Sequence, residues 1–481
     1  VATAVAVRAA EPPAVGATPE PPAPPAPAAP ADGVRPEAPA GPDGEPLYRR
    51  SYWIPLAEVV AVAAALNFTH RNLLGSEWAH SNLSTARTNL MRWTYDTDPF
   101  GTNNIMHPYN GAIYHGAARS MGLDPWQSFG YAFLGSALWE VAGETEPASI
   151  NDQIMTPFGG AFLGEVLYRS AVLALGPGHE RPGFWRGLGA LLLSPPAGVN
   201  RMIFGDTYRT FDFDRRPVTY FQIFAGGGVA YDRTPREQTG DQTAVTAHAG
   251  LHLAFGLPDE RGFPVRHPFD HFDLAFTLAA TEREAPFGAL FIRGILAGAR
   301  IEGRWRGLWG LTGIFDYVAP RVFRVGTAAL GISATGQLGT RGAVALQGTA
   351  MLGAGFGNAG ATTQPIGGRD YHSGPAAQVV LEARVLLGDT AVLGADLRQY
   401  LVAGAVETRG FEEMTYLTLS GLVRIGGPHA VGVERLAARR RAAYTDVPDI
   451  QQRSTALSIS YALVTDPWFG AYQPRPEVEV E

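Results

Sequence analysis

From Arg216 to Leu463 the chain alternates apolar residues with small or polar ones at a period of two. The apolar sets include Phe221, Ile223 and Ala225; Phe272, Leu274, Phe276 and Leu278; and Leu457, Ile459, Tyr461 and Leu463. Between them stand Gly, Ala, Thr, Ser, Gln or charged residues. Successive side chains of a strand point to opposite faces, so each segment has one apolar and one polar face. The segments are about a dozen residues long, enough to cross a bilayer as a tilted strand of about 9 to 11 residues. This is the lipid-out, lumen-in text of a transmembrane β-barrel. A soluble β-sandwich alternates too, but the length, spacing and aromatic content of the apolar face favour the barrel.

About twelve such segments start near residues 217, 244, 270, 287, 307, 324, 342, 375, 391, 413, 430 and 454. An even number places both ends of the barrel on one side. Long gaps are expected at Gly357 to Gly374, Gly404 to Glu412 and Ala442 to Arg453, with short turns at Gly388 to Thr390 and Gly427 to His429. The gap from Pro258 to Phe269 is long where a short turn is expected. The barrel is assigned to residues 211–468 and a C-terminal tail to 469–481.

Composition narrows the function. The net charge is −7, which leaves no footprint for nucleic acid. All 38 basic residues are Arg, so Schiff-base lysine chemistry and a P-loop lysine are excluded. There is no cysteine, which removes disulfide and thiolate chemistry. Residues 1–47, rich in Pro and Ala, read as a disordered linker, because such text buries too little apolar surface to offset ordering entropy. Its first residues, VATAVAV, fit either the remnant of a signal segment or an Ala-rich tail.

Residues 48–210 change to helical periodicity. Helices are expected over Pro55 to Leu66, Pro108 to Ser120, Pro125 to Ala142, Asn151 to Leu175 and Phe184 to Leu193. The fold class is therefore α+β: an N-terminal helical domain followed by an antiparallel transmembrane β-barrel of about twelve strands. The helices are apolar but carry Glu140, Glu165 and Arg169, which favours a compact domain with inward ionisable groups over membrane spans. A polytopic inner-membrane protein is the alternative.

Within this domain the text reads HPYNGAIYHGAARS, SALWEVAGETEPASIND and TPFGGAFLGEVLYR. These blocks resemble the bacterial envelope family known as domain of unknown function 3943, in His-Pro-Tyr-x-Gly, Trp-Glu, Glu-x-x-x-x-Ser-x-x-Asp and Gly-x-x-x-Gly-Glu order. The resemblance carries onto His107, Pro108, Tyr109, Gly111, Tyr114, Arg119, Trp139, Glu140, Glu144, Ser149, Asp152, Gly160, Gly164 and Glu165. Ala148 departs from it, standing where the family more often has Pro. The resemblance implies an envelope protein and supplies no reaction.

His107, Glu140, Glu144, Asp152 and Glu165 form the candidate catalytic or metal-ligating set, and Tyr109, Tyr114, Arg119 and Arg169 the candidate binding set. Glu140 and Glu144 share a helix face if the helix continues through Gly143. The structural reading is equally concrete. Ser149 and Asp152 have capping-box spacing, Glu165 and Arg169 have ion-pair spacing, and Arg119 is available to neutralise Glu140 or Glu144. His115 adds a second imidazole. No cofactor or metal is named by these residues.

The expected location is the outer membrane of a Gram-negative envelope, with the helical domain on the periplasmic side or in the lumen. The expected partner is the lipid bilayer, and an envelope lipid or glycan joins it if the site is that of a hydrolase or transferase.

Overall fold

In the computed structural model, residues 49–471 are described except for 97, 177–181, 206, 209–218, 234–241, 258–264, 282–286, 340–343, 361–370, 405–408, 446 and 466–468. The expected linker lies outside the described residues, as do the tail beyond Ala471 and parts of the expected gaps before β5, β10 and β12, the strands that start at Phe272, Tyr371 and Gly410.

The described residues from Trp53 to Phe204 are mainly helical: α1 (Trp53–Phe68), α2 (Leu83–Met91), α3 (His107–Ser120), α4 (Pro125–Leu138), α5 (Ile150–Ile154), α6 (Gly160–Leu175), α7 (Phe184–Leu193) and α8 (Pro195–Phe204). Local chemistry sets several starts. Asp124 accepts from the Gln127 N–H while Gln127 accepts from the Asp124 N–H, and Pro125 supplies a fixed φ at the first turn. Asn82 and Thr85 build the same box for α2, a helix the periodicity did not reveal. Two short strands, β1 (Trp93–Thr94) and β2 (Ala148–Ser149), pair in parallel and bring the text before α3 beside the text before α5.

Twelve strands follow: β3 (Thr219–Arg233), β4 (Gln242–Phe255), β5 (Phe272–Thr281), β6 (Phe287–Ile301), β7 (Arg306–Ala319), β8 (Arg324–Gly339), β9 (Val344–Gly360), β10 (Tyr371–Leu387), β11 (Ala391–Gly404), β12 (Gly410–Gly426), β13 (His429–Tyr444) and β14 (Val447–Val464). Each pairs antiparallel with its neighbours, and β14 closes on β3, so the sheet is a barrel with no free edge. That fold replaces the polytopic-helix alternative for this half. One expected long gap is a tight turn: Tyr444 pairs with Val447, so the polar run up to Arg453 is strand.

Alternation along the strands separates two faces. Trp309, Leu311, Leu330, Ile332, Leu352 and Leu381 point outward and are exposed, as a lipid-facing band requires. The opposite residues meet across the lumen. Arg293 is paired with both oxygens of Glu382 (2.6 and 2.7 Å), and Arg398 contacts Glu382 (3.2 Å), Asp396 (3.0 Å) and the face of Phe291. A polar cavity of about 270 Å³ lies among these groups. An apolar layer crosses the lumen at each end of it. At the end holding both barrel termini, Phe469 and Ala471 pack with Tyr220, Leu386, Val392 and Leu422. At the far end, Val322 and Phe323 of the β7–β8 turn pack with Val318, Tyr400 and Met414.

The helical domain packs on the outward face. Phe162, Leu163 and Val166 of α6 share one core with Leu253, Phe255, Phe272, Leu274, Ile292 and Phe315, all of which point away from the lumen. Tyr95 stacks on Phe356, and Phe100 meets Tyr317 and Tyr371 edge to face or tilted. Asn358 donates to Asn104 (2.9 Å), and an added Cβ on Gly313 or Gly326 would strike Phe162 or Asn104. The outward residues of β4 to β10 are what α6 and its neighbours cover.

Candidate functional site: a buried carboxylate and imidazole cluster

Glycines bring the motif helices together. A Cβ on Gly111 would lie 1.9 Å from the Thr156 carbonyl oxygen, and one on Gly160 would lie 2.6 Å from the Gly111 Cα. Backbone contact between α3 and the start of α6 thus requires glycine at both positions. One turn on, Gly164 lets α6 settle against Ala112 and His115, which places Glu165 beside α3.

There the ionisable residues divide into two groups. In the first, Glu165 accepts from Arg119 (2.6 and 3.1 Å) and Arg169 (2.7 Å) and lies 3.0 Å from His115 Nε2. Arg169 continues to Asp270 (3.3 Å) and to the Pro268 carbonyl (2.8 Å), tying the helical domain to the β4–β5 connection. Burial alone would raise the Glu165 carboxyl, but the two guanidinium groups and His115 hold it well below the usual carboxylate range. The spacing of Glu165 and Arg169 is an ion pair, as the structural reading expects, and Arg119 joins it. Arg119 thus pairs with Glu165; the arrangement does not make it the counter-ion of Glu140 or Glu144.

The second group contains His107, Glu140 and Asp152, which stand at the start of α3, in the wide turn after α4 and in α5. One ligand atom from each falls within 4.8 Å of the others, and all three residues are buried. His107 Nε2 is 3.6 Å from Asp152 Oδ2. Glu140 Oε2 accepts from the Ser149 N–H (2.8 Å), which β2 presents to it. Ser149 Oγ accepts from the Asp152 N–H (3.1 Å), so the expected cap exists and also fixes Asp152 in the cluster.

Asp96, which the motif reading does not single out, completes this group. It accepts from Asn103 (2.8 Å) and Asn151 (3.0 Å), and its own N–H donates to Asn151 (3.1 Å). The available signal was position: DTDPF lies beside the first motif block, and β1 carries Asp96 toward β2.

Among the described residues no Arg pairs with Glu140 or Asp152, and the electrostatics of the group follow from that. Burial, then the charge of Glu144, raises Glu140 well above the usual range. Burial and the hydrogen bond with Asp96 raise Asp152 in the same way. Burial would also raise Asp96, but hydrogen bonds from Asp152, Ser149, Asn151 and Asn103 hold it low. Burial pushes His107 down to about 4 against the pull of Asp96.

Glu144 does not share a face with Glu140. The helix ends in the wide turn Trp139–Gly143, Glu144 is extended (φ −129°, ψ 158°), and its carboxylate accepts from the Trp139 indole (2.7 Å). Of the candidate binding residues, Tyr114 is fully buried with its hydroxyl accepting from Asn110 (3.1 Å), and its ring fills the space beside Gly135. Tyr109 is partly exposed. Arg119 and Arg169 are held by Glu165.

Residues 92–196 match the family model described as "Domain of unknown function (DUF3943)", the family that the sequence motifs resemble. No curated protein matches the chain. Among solved structures it is similar to the COG4313 outer membrane channel from Pseudomonas putida F1, at 9% identity over 53% of this chain and 99% of that one, with a TM-score of 0.29. It is also similar to the translocator domain of the autotransporter NalP from Neisseria meningitidis, at 13% identity over 50% of this chain and 88% of that one, TM-score 0.23. For OpdO of Pseudomonas aeruginosa the values are 13%, 52%, 98% and 0.20. At these scores the likeness carries no argument about activity. The closed strand order and the outward apolar band define the class on their own: a transmembrane-type β-barrel with an appended helical domain.

Proposed function

We propose that this is an outer-membrane protein in which the barrel is the anchor and the helical domain, held against the barrel's lipid-facing wall, is the functional part. The observation that carries this reading is the shared core of α6 with outward-pointing strand residues. A domain on that wall borders the acyl chains. Its own surface fits such a place: Trp53, Val60 and Phe68 of α1, Phe133 and Leu134 of α4, and Trp185 of α7 are all exposed. Large apolar residues exposed in such number mark a lipid or partner contact. In this reading the strands alone cross the bilayer, while α1 and its neighbours dip apolar faces into it. An apolar layer at each end of the lumen favours an anchor over an open pore.

A second reading, an envelope hydrolase or transferase on lipid or glycan, is favoured by the His107, Glu140 and Asp152 cluster, since buried ionisable groups without counter-ions are costly.

The chain has no cysteine, so a single introduced cysteine is a unique label site. Spin labels at Val60→Cys on α1 and Ile332→Cys on the strand wall should both be more accessible to oxygen than to an aqueous paramagnetic reagent in lipid nanodiscs. A Val60 label with the aqueous accessibility of a loop position would remove the lipid-side placement.

A further inference from the structure

We infer that His107, Glu140 and Asp152 bind one divalent transition-metal ion, with Asp96 as the carboxylate that holds Asp152 in place. The inference rests on the cluster itself and stands whichever side of the membrane the helical domain occupies.

Three observations converge. The first is geometric: ligand atoms at about 2.0 to 2.2 Å from one ion lie roughly 3 to 4.4 Å from each other, and the observed 4.8 Å limit is a small adjustment from that. The second is charge. The buried carboxyls of Glu140 and Asp152 lie beside one another and one imidazole, with the half-buried Asp96 beside them, whereas the neighbouring Glu165 is given two Arg partners. The same domain therefore neutralises one buried acid fully and leaves Glu140 and Asp152 to protons or a cation. The third is a buried amide. Asn103 is fully buried and spends its N–H groups on Asp96 (2.8 Å) and Tyr371, while its carbonyl oxygen meets no donor among the described residues. A bound water would supply that donor beside Asp96.

The donor set selects the ion. One imidazole and two carboxylates suit zinc, manganese or iron; magnesium and calcium prefer all-oxygen shells. Three protein ligands also leave a coordination position to water, the pattern of reactive sites rather than closed structural ones. Supporting groups are already placed: Asn103 and Asn151 orient Asp96, and the Ser149 N–H orients Glu140.

The test uses the full chain in detergent, stripped with chelator and then titrated with zinc or manganese. About one equivalent should bind per chain and raise the melting temperature of the helical signal. Asp152→Asn and His107→Gln should each weaken binding by about 100-fold or more, because ligand loss exceeds the cost of losing a supporting group. His267→Gln, at a surface imidazole, should leave binding unchanged. Asp152→Asn relieves carboxylate repulsion, so its metal-free form should melt no lower than the metal-free parent, which separates loss of ligand from loss of fold. Binding below about half an equivalent, or equal affinity in the parent and Asp152→Asn, would overturn the inference and leave the cluster as a proton-sharing network.

Discussion

Replacing Glu165 by Gln is expected to unfold the helical domain while leaving the barrel closed. The carboxylate is fully buried and accepts from both Arg119 and Arg169, so the substitution leaves two guanidinium groups inside the protein without their shared anion. Removing one partner of a buried pair costs roughly 3 to 5 kcal/mol. The loss also frees Arg169 from one of the groups that position it against Asp270, so docking to the barrel should weaken with folding. In detergent the helical circular-dichroism transition should fall well below that of the parent or vanish. The slower gel mobility of boiled against unboiled samples should persist, since the barrel satisfies its backbone groups between strands. A Glu165→Gln variant with a parental helical melt would show that the Glu165 network contributes little.

Glu140→Gln should do the opposite. From sequence, Arg119 was available as the counter-ion of Glu140, and the substitution would then have stranded a buried cation. The structure gives Arg119 to Glu165, so Glu140 has carboxylate neighbours and one backbone N–H. With metal removed, neutralising Glu140 should raise the stability of the helical domain by about 1 to 2 kcal/mol near pH 8.

The pH dependence has a definite sign. Burial, with the charges of Asp96 and Glu146, raises Asp98 to about 6, and burial raises Glu144 to about 7. A carboxyl whose folded value lies above its unfolded one binds more protons when folded. Its contribution is fully present below the unfolded value and is lost as pH rises through the folded one. The metal-free domain should therefore lose stability between about pH 5 and 8, less steeply in the Glu140→Gln variant, as melting curves across that range would show. A parent that gains stability with rising pH would contradict the assignment of an uncompensated acidic cluster.

How far this was legible in the sequence depends on what each pattern encodes. Strand number and eleven of the twelve starts, within a few residues, follow from alternation, because in a barrel both faces of every strand are specified. The beginning of β14 was missed for a physical reason. Gln451 to Arg453 reads as a loop, yet Gln452 points into the lumen and accepts from Arg440, which also pairs with Glu412. Polar text is what a lumen-facing strand carries.

The motif blocks located the cluster but not its division into two. Spacing along one helix cannot say that the helix stops before Glu144, nor that Gly160 and Gly164 bring Glu165 onto Arg119 and away from Glu140. Asp96 was missed because it lies in an extended segment with no periodicity of its own. Alternation also marks which strand residues point outward without saying what covers them. Phe315 and Ile332 read alike in the sequence, yet the helical domain buries the first and leaves the second exposed.

The placement of the helical domain on the outer wall is tested most directly by cysteine cross-linking in native-like membranes. Asn104 and Asn358 are hydrogen-bonded across the interface, whereas Gln378, on the lumenal face, bonds to Thr327. A chain carrying Asn104→Cys and Asn358→Cys should be joined nearly completely by a short thiol-specific cross-linker. One carrying Asn104→Cys and Gln378→Cys should not be joined. Efficient linkage of Asn104→Cys to Gln378→Cys, with none to Asn358→Cys, would put the helices in the lumen and contradict the account.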